Sequence, residues 1–128
     1  MDTPSFLWIM LGHLLWCALL YAGLTLLRAP KIWGLFSHIH FSSDYEPKLT
    51  ANLKNQFEWP LFFHIGGLLL VLNGFTSFEF WMGILFLFGR VVHTCVHVFC
   101  SSVRLRGVVF TINFLAVIVL WISMTFRF

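Results

Sequence analysis

The run SFLWIMLGHLLWCALLYAGLTLL, residues 5–27, decides the fold class. It holds 23 residues without one Asp, Glu, Lys or Arg. As a helix it would span roughly 34 Å, enough to cross a hydrocarbon core of about 30 Å. It is too long for the h-region of a cleaved signal, and no basic n-region precedes it. In lipid such a run has to be helical, because an isolated strand leaves its backbone groups unpaired.

The rest of the chain agrees. Of 128 residues, 59% are hydrophobic and only 10% charged, with a mean hydropathy of +0.88. A soluble domain carries roughly 25% charge, so a water-soluble globule and a disordered chain are both excluded. The length allows one domain. Three further spans are expected, at about residues 49–73, 78–100 and 105–126, making one all-α integral membrane four-helix bundle over residues 1–128. Residues 28–48 read as a real loop. Asn73-Gly74 reads as a tight turn and Ser101–Arg104 as another, so the later spans are antiparallel neighbours.

Net charge is +3, from only eight Lys and Arg. No dense basic stripe exists, so no nucleic-acid partner is expected. Arg28, Lys31 and Lys48 lie in the first loop, and Arg104 and Arg106 flank the third. The positive-inside bias puts those two loops in the cytoplasm and both termini on the far side. Cys17, Cys95 and Cys100 form neither a disulfide framework nor a CxxC pair.

Polar groups inside spans are costly and tend to be functional. Asn55 and Glu58 are three apart and share a helix face. Arg90, His93 and His97 follow an i, i+3, i+7 pattern and share another. With Arg104 and Arg106 they gather toward one side of the membrane. Glu58 is expected to pair with Arg90 or another cation, because a low-dielectric site demands pairing. Beyond that salt bridge, the cluster reads as a cytoplasm-facing pocket for an anion. His93 and His97 are i, i+4, a ligand-capable spacing, but the Glu of an HExxH motif is missing. His64 stands about 240° around its helix from Glu58. No metal is expected. His38 and His40 read as loop chemistry, His13 and His64 as groups satisfied by a neighbouring helix, and Glu79 as a solvated interfacial acid.

The segment Asn52-Leu53-Lys54-Asn55-Gln56-Phe57-Glu58-Trp59-Pro60, with Asn-x-x-Glu followed closely by Pro, resembles the second-span signature of the MAPEG superfamily (membrane-associated proteins in eicosanoid and glutathione metabolism). Arg90-Val91-Val92-His93 through Arg104 and Arg106 is similar to its third-span end and fourth-span start. The resemblance covers nearly the whole chain and is greatest to a bacterial branch. It implies a homotrimer in a bacterial inner membrane, with glutathione held between subunits near the cytoplasmic side. It implies glutathione-binding roles for Asn55, Glu58, Arg90, His93 and His97, and a catalytic role for Arg106 in stabilising the thiolate. The implied activity is that of a transferase or peroxidase acting on lipophilic electrophiles. Three positions depart from the glutathione-using pattern: Ala51 replaces an arginine, and His97 and Phe110 replace tyrosines. Two other functions remain open: a non-catalytic accessory subunit of a larger membrane complex, and a membrane binding protein for a small anion or lipid.

Overall fold

The computed structural model describes residues 3–34 and 44–128, with side chains from residue 5 onward. It contains five helical segments: α1 (Thr3–Trp33), α2 (Tyr45–Phe57), α3 (Pro60–Asn73), α4 (Ser77–Phe99) and α5 (Val103–Arg127). Among the described residues α1, α4 and α5 are each long and apolar enough to cross a membrane. The chain is an all-α integral membrane bundle of four helices, one of them split into α2 and α3. The loop histidines His38 and His40 lie outside the described residues.

The split falls where the sequence reading runs one helix straight through. Pro60 has no N–H, so the Gln56 carbonyl loses its i+4 donor. Glu58 leaves helical geometry with ψ −82°, and Pro60 then takes the first turn of α3, where its missing donor costs nothing.

Helices enter the expected loop at residues 28–48 from both sides. Helix α1 continues through Pro30 to Trp33, and α2 begins at Tyr45. Arg28 and Lys31, near the C-terminus of α1, both reach Glu46 in the first turn of α2, at 3.0 and 2.8 Å. Each charge sits at the helix end whose dipole favours it.

The turn at Asn73-Gly74 is present. Gly74 adopts φ +83°, a conformation open to glycine, and ends α3. Thr76 then caps α4. Its hydroxyl accepts from Glu79 N–H at 3.2 Å, while Thr76 N–H donates to Glu79 Oε2 at 2.7 Å, a capping box. The reading of Glu79 as a solvated acid is corrected here: the residue is fully buried. Its carboxylate also accepts from Ser123 Oγ at 3.2 Å and pairs with Arg127 at 3.1 Å. Arg127 donates a further bond to the Gly74 carbonyl at 2.7 Å. One acid thus ties the start of α4 to the end of α5.

The core is layered along the bundle. At the end holding the N-terminus of α1, Phe6, Ile9, Phe63, Leu70, Phe86, Val117, Leu120 and Met124 form one apolar cluster. Phe63 and Phe86 stack there at 3.9 Å between centroids. At the other end, Leu20, Leu24, Leu49, Leu53 and Val98 form a second. Between them lies a buried polar layer.

Candidate functional site

Four helical segments build the polar layer. Helix α1 contributes His13 and Trp16, α2 contributes Asn52 and Gln56, α3 contributes His64, and α4 contributes Arg90 and Thr94. Residues 52 and 56, and 90 and 94, are one helical turn apart, so each pair presents two polar groups on one inward face. Gln56 stands at the centre. Its Oε1 accepts from Arg90 Nε–H at 2.9 Å and bonds His13 Nε2 at 3.0 Å. Its Nε2 donates to Thr94 Oγ1 at 3.1 Å and to Asn52 Oδ1 at 3.3 Å. Trp16 Nε1–H donates to Thr94 Oγ1 at 3.3 Å. The His13 and His64 rings join through Nδ1 and Nε2 at 2.9 Å.

Arg90 is the largest fully buried side chain of the bundle. Its remaining bond runs from Nη2 to the Asn55 carbonyl at 2.9 Å. None of its partners is charged. The expected Glu58–Arg90 pairing is therefore corrected. Glu58 sits at the helix break, 59% exposed, and pairs with Lys54 at 3.8 Å. The break turns it away from the face that Asn55 shares with the interior. Glu46 and Glu79 are taken up by Arg28, Lys31 and Arg127. Among the described residues Arg90, Arg104 and Arg106 have no carboxylate partner.

That charge imbalance is matched by unpartnered polar atoms. Arg90 Nη1, His93 Nδ1, Asn52 Nδ2 and Trp59 Nε1 are buried without a hydrogen-bond partner among the described residues. A buried unpaired donor costs about 1–3 kcal/mol, more when charged, so each such atom calls for a partner.

The candidate residues fall into two tiers. Arg90 and His93 are buried on α4. His97, one turn further, is half-buried, with its ring 5.7 Å from that of His93. Arg106, half-buried in the first turns of α5, exerts its field on both histidines. Arg104 is exposed. Asn55 is half-buried and meets Arg90 through its carbonyl. The departures lie beside them: Phe110 places its ring 6.1 Å from His93, and Ala51 is exposed on α2. Among the described residues no three His, Cys, Asp or Glu are placed to hold a metal.

The structure adds Gln56, Asn52, Thr94, His13 and His64 to the residues that sequence reasoning singled out as a site. Gln56 was within the quoted signature. Its one signal was an uncharged polar residue four positions from Asn52 inside an apolar span.

Searches of curated proteins and of solved structures return no match for the chain. The MAPEG family model matches residues 6–126. That match takes in every helix and both halves of the polar cluster. The chain belongs to the MAPEG family.

Proposed function

We propose that this protein is a glutathione-dependent transferase or peroxidase acting on lipophilic electrophiles, assembled as a homotrimer in a bacterial inner membrane. One observation carries the reading: three arginines have no carboxylate partner among the described residues, Arg90 buried midway along α4 and Arg104 and Arg106 in the first turn of α5. Such an excess of positive charge calls for an anion. The unpartnered donor Arg90 Nη1 fits a ligand with carboxylates, as glutathione has, and His93 Nδ1 beside it is unpartnered as well. Family membership supports the same ligand.

Glutathione, when bound, supplies the thiol that attacks the electrophile. The chain's own part is electrostatic. Arg106 sits beside the N-terminus of α5, and both guanidinium and helix end favour a thiolate over a thiol. Arg90 supplies buried positive charge behind His93. His97 offers a donor where the usual pattern has a tyrosine, while Phe110 offers none. Asn55 and Glu58 lie at the rim, on α2 and the break that follows it. The basic loops put this end toward the cytoplasm.

Arg106→Ala tests the mechanism. Turnover with a lipophilic electrophile is expected to fall by about 10²–10³-fold, the scale of losing one stabilising donor, while glutathione affinity changes much less. The ultraviolet absorbance of the thiolate, read on mixing glutathione with protein, should drop in step with turnover. An equal loss in binding and turnover would give Arg106 a binding role only. No thiolate signal in the unmutated protein would favour the accessory-subunit reading.

A further inference from the structure

One buried polar side chain belongs neither to the Gln56 network nor to the proposed chemistry. Asn113, midway along α5, is fully buried. Neither its Oδ1 nor its Nδ2 has a hydrogen-bond partner among the described residues. Its amide lies on α4 where Gly89 leaves room, and a Cβ on Gly89 would collide with Asn113 Oδ1. A buried amide with both ends unmet is costly, so something has to meet it.

Other unpartnered atoms surround Asn113. Phe110, Asn113 and Phe114 share one face of α5, three and four residues apart. Phe110 lies against His93 at 6.1 Å between centroids, and Phe114 stacks on Trp59 at 4.3 Å. Gly89, under the amide, precedes Arg90 and lies one turn from His93. The Arg90 guanidinium reaches the Asn55 carbonyl, one turn before Trp59. Arg90 Nη1, His93 Nδ1, Trp59 Nε1 and the Asn113 amide are thus gathered where α4, α5 and the α2–α3 break meet. All are enclosed by this chain's own residues, so what covers the outer face of the bundle does not bear on them.

The chemistry of that set selects its occupant. Arg90 Nη1 and Trp59 Nε1 only donate, whereas Asn113 Oδ1 only accepts. An anion would meet the donors and leave the carbonyl oxygen unmet. A cation would do the reverse, beside a guanidinium. Water both donates and accepts, and a buried water typically makes about three hydrogen bonds. We infer that this junction holds ordered internal water, one molecule of which accepts from Arg90 Nη1 and Trp59 Nε1 and donates to Asn113 Oδ1 and His93 Nδ1. The last bond puts the His93 proton on Nε2. Such a water lets Arg90 stay charged inside the bundle without an acid. Nη1 carries two N–H groups, so one is left for a ligand, and the inference does not depend on glutathione binding.

The test is X-ray radiolytic footprinting of the full chain in phosphatidylcholine nanodiscs, without glutathione and with a scavenger of radicals in bulk water. Radicals born from a bound water oxidise the side chains beside it, and mass spectrometry reads each site. His93 should be oxidised several-fold faster than Phe63 and Phe86, which are also buried but lie in an apolar cluster, each rate taken relative to the unfolded chain. In Asn113→Leu, His93 oxidation should fall to the level of those phenylalanines. The thermal midpoint in detergent should fall as well, because Arg90 Nη1 loses its bridge. Asn113→Ser keeps a donor, an acceptor and room for water, so it should keep the oxidation of His93. Equal oxidation of His93, Phe63 and Phe86 in the unmutated protein overturns the inference. So does oxidation that survives Asn113→Leu or is lost in Asn113→Ser. A midpoint that rises in Asn113→Leu overturns it too, since removing an amide that is simply unpaired is stabilising.

Discussion

At the residue scale the account turns on Gln56 and Arg90. A buried guanidinium is tolerable only if its donors are met, and here a side-chain amide and a backbone carbonyl meet two of them. Gln56 also collects His13, Asn52 and Thr94, so three helices share one acceptor and one donor group. Gln56→Leu should therefore cost more than a single hydrogen bond. It orphans a charged donor and a neutral one, each worth about 1–3 kcal/mol. Gln56→Glu keeps the acceptor and adds a counter-charge for Arg90, so its loss should be much smaller. Thermal unfolding of both variants in detergent reads the difference; equal losses would mean that the acceptor is not what matters.

The same residues show how far the sequence could be read. Arg90 and His93 were legible because charged and titratable groups inside apolar spans have few explanations. Gln56 was not, because an uncharged amide near a helix end is unremarkable without its neighbours. Pairing Glu58 with Arg90 followed from charge alone. Which face Glu58 takes is set by Pro60 two residues later, and helical periodicity does not carry across that break. Glu79 was misread because its position in the first turn suggested an interface. The pattern Thr76-Ser77-Phe78-Glu79 was a capping-box signal, but burial by Ser123 and Arg127 comes from the far end of α5.

At the element scale two acids hold helix ends together. Glu79 both caps α4 and clamps Arg127. Glu79→Ala should lower stability by roughly 2–4 kcal/mol, somewhat below a fully buried pair because Arg127 keeps partial exposure. Glu79→Gln should retain the cap and lose the ion pair, giving an intermediate unfolding midpoint. Glu46 does similar work between α1 and α2 outside the membrane. Hydrogen bonds from Lys31 and then Arg28 hold its carboxyl below the ordinary carboxylate range. A lowered folded value means that the stabilisation is present above the unfolded pKa of about 4.3 and is lost as pH falls through the lowered one. Unfolding midpoints measured from pH 6 downward, on the order of two to three units, should therefore fall more steeply in the native chain than in Glu46→Gln. Parallel curves would show that the pairing adds nothing.

At the scale of the whole molecule, the bundle is two apolar clusters with a polar layer between, and an apolar exterior around them. Class and location were readable from composition, because 59% hydrophobic residues leave no soluble alternative. The layering was not, since it depends on which helices meet. Its consequence is a buried Arg90 that, like Arg104 and Arg106 in the first turn of α5, has no acid partner among the described residues. The central claim is that these arginines receive glutathione. Isothermal titration of glutathione into the purified protein tests it most directly. The account predicts a saturable heat with a dissociation constant of about 1 mM or tighter, weakened by Arg90→Ala. A flat titration up to several times that concentration would contradict it.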